Sequence, residues 1–97
     1  MEIRFRTRRL ERCFTEGSRA VREWGPVVGR RYIQRVNVLM QARGLGDLTN
    51  TPPLHFHALT GDRSGQYAIP LTGQVRLAMT FPDPGTAMIE EVVDYHG

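Results

Sequence analysis

The feature that most constrains the fold is a change in hydrophobic period at Pro53. Before Pro53, apolar residues recur at helical spacing and predict an amphipathic helix from Pro26 to about Arg43. The apolar stripe of that helix consists of Val28, Tyr32, Val36, Leu39 and Met40. After Pro53, apolar and polar residues alternate with the period of two that is typical of strands. A helical part followed by a run of strands predicts an α+β domain.

A short strand and a first helix are predicted before the long helix. Residues 2–6 alternate polar and apolar side chains, as a strand does. Thr7 can then cap a helix, because its hydroxyl can accept a hydrogen bond from the first helical turn. Gly17 interrupts this helix and Gly25 ends it, and Pro26 suits the first turn of the next one.

The second half predicts an antiparallel meander of four strands. The period-two segments are 54–59, 66–71, 75–81 and 87–96, with turns between them and a loop at 47–53 before the first. Pro70 indicates an edge position or a bulge in the second of these strands. We predict one domain over residues 1–97, with an N-terminal strand and a two-helix hairpin on one face of a mostly antiparallel, twisted sheet. The other face is then open to water or a ligand.

Composition excludes several classes of protein. No apolar run reaches the roughly 18 to 20 residues of a membrane span, and the charged N-terminus does not resemble a secretory signal. The single cysteine, Cys13, cannot form an internal disulfide, which suits a reducing cytoplasm. Cys13 shares a helical face with Leu10 and Phe14, so we interpret it as a core residue rather than a nucleophile.

The basic residues point to an anionic partner. The Lys+Arg total of 13 contains no lysine, and the sequence pI is about 9.8. Arginine suits bidentate contact with phosphate and stacking on bases, although a GC-rich coding sequence would also replace lysine by arginine. Charge alone indicates nucleic acid or an acidic protein without choosing between them. Arg30 and Arg31, on the long helix, are candidate RNA-binding residues.

Polar side chains from three strands are expected to converge on the open face of the sheet. Strand alternation places them on that side, and they are His55, His57, Arg76, Asp94 and His96. The same alternation turns Tyr95 away, so a bend at the end of the strand is needed to bring it in.

These residue types suit metal-free cleavage of RNA by its own 2′-hydroxyl. That reaction needs a base, an acid and positive charge on the phosphorane. Histidine can serve either proton role, arginine supplies charge, and tyrosine can stack on a base. His55, His57 and His96 could alternatively bind zinc, but their spacing is a weak signal. We therefore predict neither a metal nor a cofactor.

Three stretches resemble a known family of toxins. LHFHALTGDRSGQYAIPLTGQVRL (54–77) resembles the signature of the HigB-type branch of the RelE/ParE superfamily. That signature contains a histidine, an aliphatic residue, lysine, glycine, a polar residue and arginine, then glycine-glutamine-aromatic and a strand ending in arginine. REWGPVVGRRYIQRVNVL (22–39) resembles the helical region of the plasmid maintenance system killer members, and VDYH (93–96) resembles the ending of several HigB toxins.

The resemblance implies a RelE-like fold and a type II toxin–antitoxin toxin in the bacterial cytoplasm. It implies a ribosome-dependent mRNA endoribonuclease (an mRNA interferase) that inhibits translation and arrests growth. The implied partners are the ribosome, mRNA and a cognate helix-turn-helix antitoxin, with DNA reached only indirectly through the antitoxin.

The resemblance also implies a set of catalytic residues. The matching positions are His57, Arg63, Arg76, Asp94, Tyr95 and His96. Either His57 or Asp94 would be the base and His96 the acid. Arg63 and Arg76 would hold the phosphate, and Tyr95 would orient the nucleotide.

Two departures from the family pattern bear on activity. Thr60, a further candidate RNA-binding position, stands where the family usually has lysine, and Val75 replaces a common aromatic residue. A lost charge-assisted phosphate contact costs about 1.5 to 3 kcal/mol, which lowers a rate roughly ten- to a hundredfold. An alternative is therefore a weakened homologue that binds antitoxin or ribosome without cleavage. A gyrase poison of the same superfamily is less consistent, because poisoning gyrase needs no proton-transfer pair.

Overall fold

The computed structural model of the 97-residue chain describes residues 1–94. The helices and strands in chain order are β1 (Glu2–Phe5), α1 (Arg8–Thr15), α2 (Gly17–Gln41), α3 (Leu45–Thr49), β2 (His57–Ala58), β3 (Tyr67–Pro70), β4 (Val75–Asp83) and β5 (Thr86–Asp94). Two single-turn 3-10 helices, Pro52–Leu54 and Gly61–Arg63, flank β2.

The strands form one sheet in the order β1-β5-β4-β3-β2. β2 to β5 are paired antiparallel in chain order, which confirms the predicted meander, and β1 joins its edge parallel to β5. Pro70 lies in β3 beyond the last residue that pairs with the short β2. Its missing N–H therefore removes no hydrogen bond on that side.

The helices form the predicted hairpin. The Thr7 hydroxyl accepts a hydrogen bond from the Leu10 amide at 3.1 Å and caps α1. α2 is broken at Gly25, whose φ of 85° is left-handed, and Pro26 opens the second segment. The two segments then fold back on each other so closely that a Cβ at Gly29 would lie 2.7 Å from the Ala20 carbonyl oxygen.

The core lies between the hairpin and one face of the sheet. Fully buried large side chains come from both layers, and they include Tyr32, Val36 and Leu39 from α2, and Ile69, Leu77, Met79 and Ile89 from the strands. The buried Tyr32 hydroxyl donates a hydrogen bond to the Leu10 carbonyl at 2.7 Å. Cys13 is buried at 2% exposure, which confirms its interpretation as a core residue.

Two predictions about the middle of the chain were wrong. The expected loop at 47–53 contains most of α3, because the Asp47 carboxylate accepts a hydrogen bond from the Arg43 amide at 2.8 Å and from its guanidinium. The expected strand at 54–59 shrinks to the two residues of β2. Pro52 and Pro53 supply no N–H for a ladder and start a 3-10 turn instead.

None of the helices that the structure describes is both long enough and apolar enough to cross a membrane.

Candidate functional site

The face of the sheet opposite the helices carries a row of one residue from each of β2 to β5. The ladder register aligns His57 with Ala68, Ala68 with Ala78, and Ala78 with Glu91. Paired residues in a sheet point to the same side, so the row has an imidazole at one end and a carboxylate at the other. The two alanines between them leave room for long side chains to cross.

Arg63 crosses this open face from the turn between β2 and β3. Its Nη2 donates to a carboxylate oxygen of Glu91 at 2.6 Å, and its Nη1 donates to the Gln66 side-chain oxygen at 2.9 Å. The Arg63 side chain is 30% exposed and that of Glu91 52% exposed, so water screens the ion pair in part. The sheet thus holds one guanidinium in place over the alanine row.

Arg76 reaches the other end of the row. It lies in β4, where it pairs with Pro70 and Val93, and its Nη1 is 3.4 Å from Nε2 of His57. Guanidinium has only donors, so Nε2 accepts in this contact. The structure therefore joins an arginine and a histidine on the open face, as alternation predicted for those two residues.

His57 is oriented by its own segment. Its Nδ1 is 2.9 Å from the backbone carbonyl of His55, which can only accept, so Nδ1 carries a proton. Both contacts of the ring are satisfied by the neutral tautomer with its lone pair on Nε2. The adjacent Phe56 stacks on Tyr67 with ring centroids 5.2 Å apart and an angle of 7° between planes, which anchors the two-residue strand.

His55 does not share a strand side with His57, contrary to expectation. It follows a 3-10 turn with φ of 52° and ψ of 38°, in the left-handed region that non-glycine residues rarely adopt. Because of this conformation its carbonyl faces the His57 ring while its side chain is exposed.

Asp94 does not share the side of Arg76, which corrects the predicted convergence. The register pairs Arg76 with Val93 and Val75 with Asp94, so Asp94 lies on the helix side of the sheet. There it lines a cavity of about 290 Å³ together with Trp24 and Val28. The cause is a bulge in β5: Met79 pairs with Ile89 but Ala78 pairs with Glu91, and the extra residue, Glu90, reverses the alternation that follows.

The remaining sequence candidates lie in three places. Thr60 is exposed at the start of the 3-10 turn that carries Arg63. Arg30 and Arg31 are exposed on α2, which packs against the opposite face, so they do not join the His57 row. Tyr95 and His96 lie outside the described residues.

Glu91 is the site residue that sequence reasoning missed. Its signal was the acidic pair Glu90 and Glu91 between the apolar residues Ile89 and Val92 of the last strand. The two carboxylates have different partners: Glu90 accepts from the Thr80 hydroxyl at 2.7 Å and from Arg6 at 3.0 Å, whereas Glu91 holds Arg63.

Within residues 1–94, no three His, Cys, Asp or Glu side chains are grouped so that they could hold a metal ion.

A solved structure shares this architecture. A YoeB/ParE toxin from Agrobacterium tumefaciens is similar over 100% of both chains, with a TM-score of 0.56 and 14% sequence identity. The fold is that of a RelE/ParE-type toxin. No protein-family profile matches the chain, and no curated protein matches it in sequence. At this identity the similarity establishes the RelE/ParE-type fold, which was predicted, and leaves the activity to be argued from the site.

Proposed function

We propose that the protein is a HigB-type toxin of a type II toxin–antitoxin system that cleaves mRNA on the ribosome and so inhibits translation. One observation carries the proposal: His57, Arg63 and Arg76 lie on the open face of a RelE/ParE-type fold. The imidazole has an available lone pair and can act as a base, and the two guanidiniums supply fixed positive charge. Cleavage of RNA by attack of its 2′-oxygen on phosphorus requires both.

His57 is the general base in this proposal. The scissile phosphate draws Arg76 away from its 3.4 Å contact with Nε2, and the freed lone pair accepts the 2′-hydroxyl proton. The 2′-oxygen then bonds to phosphorus and the bond to the 5′-oxygen breaks, which leaves a 2′,3′-cyclic phosphate. Asp94, the alternative base, lies on the helix side of the sheet and is disfavoured.

The leaving 5′-oxygen takes its proton from His96, and Tyr95 orients the nucleotide. These two roles rest on the resemblance of the VDYH ending to HigB toxins. Arg63 stabilises the phosphorane by exchanging Glu91 for a phosphorane oxygen, because the phosphorane develops a second negative charge that the carboxylate lacks.

The partners follow from the same proposal. The ribosome presents the mRNA, and a cognate helix-turn-helix antitoxin neutralises the toxin and links it to DNA indirectly. Thr60 lies beside the RNA at the turn of Arg63, and Arg30 and Arg31 contact RNA phosphates outside the open face. The protein acts in the bacterial cytoplasm.

The test is to add the purified protein to translating ribosomes and map the 5′ ends of the mRNA. New ends that form with wild type but not with Arg76→Gln support the proposal. Intact mRNA with wild type contradicts it, and induction of the SOS response in cells instead would point to gyrase.

A second candidate is a weakened homologue that binds antitoxin or ribosome without cleavage. Two observations favour it: Thr60 has no charge, and Arg63 is engaged by Glu91. Ribosome association without new mRNA ends would identify this candidate.

A further inference from the structure

A second basic site adjoins the open face at the edge of the sheet. It is a cleft of about 280 Å³ between α2, the residues before β2 and the turn between β3 and β4. The polar side chains that line it are Arg31, Arg35, His55 and Thr72. None of its described lining residues is acidic.

Arg35 is the residue that points to a ligand. Its Nη1 donates to the Gln34 side chain at 2.8 Å, but its Nε is buried and has no hydrogen-bond partner among residues 1–94. Buried polar atoms are nearly always hydrogen-bonded in native proteins, and an exception calls for an acceptor. Arg35 thus lines the cleft with hydrogen-bonding capacity that the described chain leaves unused, and an anion there would engage it once the side chain turned its Nε towards the cleft.

Arg31 adds a second positive charge one helical turn away. Residues four apart on a helix are neighbours, so an anion bound between these two guanidiniums would offset the repulsion of their charges. Arg31 is held towards the cleft by a 2.8 Å hydrogen bond from its Nη1 to the Leu71 carbonyl. No ion pair with a carboxylate is formed by Arg31 or Arg35 in the part of the chain that the structure describes.

The Thr72 hydroxyl can form a further hydrogen bond only as a donor. Its Oγ1 already accepts from the amides of Gln74 at 3.2 Å and Val75 at 3.0 Å. A threonine hydroxyl has two acceptor lone pairs and one proton, so the proton is left for an external acceptor. Arg31, Arg35 and Thr72 thus all present donors to the cleft.

The cleft adjoins the row formed by His57, Ala68, Ala78 and Glu91. His55 lines the cleft while its carbonyl holds Nδ1 of His57. Pro70 also lines it and is the register partner of Arg76. Arg76 and the cleft thus lie next to each other at this edge of the sheet.

We propose that this cleft binds a second backbone phosphate of the RNA, next to the one held by Arg76. The assignment of RNA rests on the proposed function. Arginine forks match phosphate oxygens in pairs, and the proximity to His57 favours a nucleic-acid strand over an acidic peptide. Two anchored phosphates fix the direction of the strand across His57.

The experiment measures binding without cleavage. The probe is a fluorescein-labelled hexaribonucleotide whose 2′-O-methyl groups remove the nucleophile. Its anisotropy gives the affinity of the purified chain for RNA at salt concentrations from roughly 50 to 200 mM. Arg35→Gln should weaken binding about tenfold and lower the slope of log K against log salt by about 0.7. Arg31→Gln should do the same, and Arg12→Gln on α1 is the charge-matched control that should leave binding unchanged.

Neutral methylphosphonate linkages, placed one at a time in this RNA, locate the contact. In wild type, the neutral linkage should weaken binding at two positions. At the first position Arg76→Gln should show no further loss of affinity, and at the second position Arg35→Gln should show none. Independent losses at every linkage would overturn the proposal, as would absence of RNA binding by wild type at low salt. Selective loss of binding to an acidic peptide by Arg35→Gln would also overturn it and assign the cleft to a protein partner. Because no step requires cleavage, a failure of ribonuclease activity leaves this outcome readable.

Discussion

The backbone carbonyl of His55 lies 2.9 Å from Nδ1 of His57 and fixes which nitrogen of the ring has a lone pair. His55 can provide this contact because it is left-handed, with φ of 52°. The general base of the proposed reaction is therefore set by the backbone of the residue two positions before it.

His55→Gly should preserve cleavage, whereas His55→Val should lower it. Glycine adopts positive φ freely and keeps the carbonyl, but a β-branched residue there costs about 1 to 3 kcal/mol. We expect the valine variant to lose roughly five- to a hundredfold in single-turnover cleavage on ribosomes. Equal loss in both variants would mean that the imidazole, not the backbone, carries the effect.

His57→Gln and Asp94→Asn separate the two candidate bases. If His57 is the base, its variant should lose about 10²- to 10⁴-fold in rate, while Asp94→Asn on the helix side should lose less than about tenfold. Single-turnover cleavage of ribosome-bound mRNA measures both. The reverse order would assign the base to Asp94.

Glu91→Gln should increase RNA affinity, because it releases Arg63 from its 2.6 Å contact. The pair is half-exposed, so its strength is about 0.2 to 1 kcal/mol and the gain about 1.4- to 5-fold. Anisotropy with the 2′-O-methyl RNA measures it. Glu2→Gln, which removes a similarly exposed carboxylate at the far edge of the sheet, is the control. Weaker binding by Glu91→Gln would show that Glu91 positions Arg63 rather than competing with RNA.

Thr60→Lys should restore the charge that the family pattern places at this position. The turn is exposed, so the lysine can reach solvent and phosphate without strain. We expect roughly a ten- to hundredfold higher cleavage rate if a charge-assisted contact is regained. An unchanged rate would indicate that Arg63 already provides the charge.

Gly29→Ala should destabilise the fold, although alanine favours helix. The added Cβ would lie 2.7 Å from the Ala20 backbone, and such overpacking costs about 1 to 3 kcal/mol. Gly46→Ala is the matched helical control: nothing lies within 4 Å of its Cβ, so the free energy of unfolding should rise by up to about 1 kcal/mol. Urea unfolding distinguishes them, and equal effects would contradict the close approach of the two helix segments.

Alkaline pH should weaken the fold through Tyr32. Burial raises the pKa of its hydroxyl, with the Cys13 charge adding to the effect. A folded pKa above the unfolded one means that stability is complete below about pH 10 and falls above it by about 1.4 kcal/mol per pH unit. In a Cys13→Ala background, urea unfolding from pH 8 to 11 should show this fall, and Tyr32→Phe should remove it. An equal fall in stability with and without the Tyr32→Phe substitution would mean that other titrating groups cause it.

The helix hairpin, the core face and the antiparallel order of β2 to β5 followed from the sequence, whereas the pairing of β1 with β5 did not. Periods of 3.6 and 2 reflect which side chains are buried, and Gly25 with Pro26 marks the helix break in the sequence itself. These features depend on residues close together in the chain. The RelE/ParE-type architecture was implied by the resemblance of residues 22–39, 54–77 and 93–96 to HigB-type toxins.

The arrangement of the candidate site was decided by tertiary structure. The bulge at Glu90 arises because β4 and β5 must both bury their apolar side chains, and it sends Asp94 to the helix side. The contact between Arg63 and Glu91 joins residues 28 apart. Alternation along one strand specifies neither register nor bulges, because both are properties of two strands in contact. The sequence alone thus determined which residue types this protein offers to a ligand, and only the packed sheet decided which of them meet.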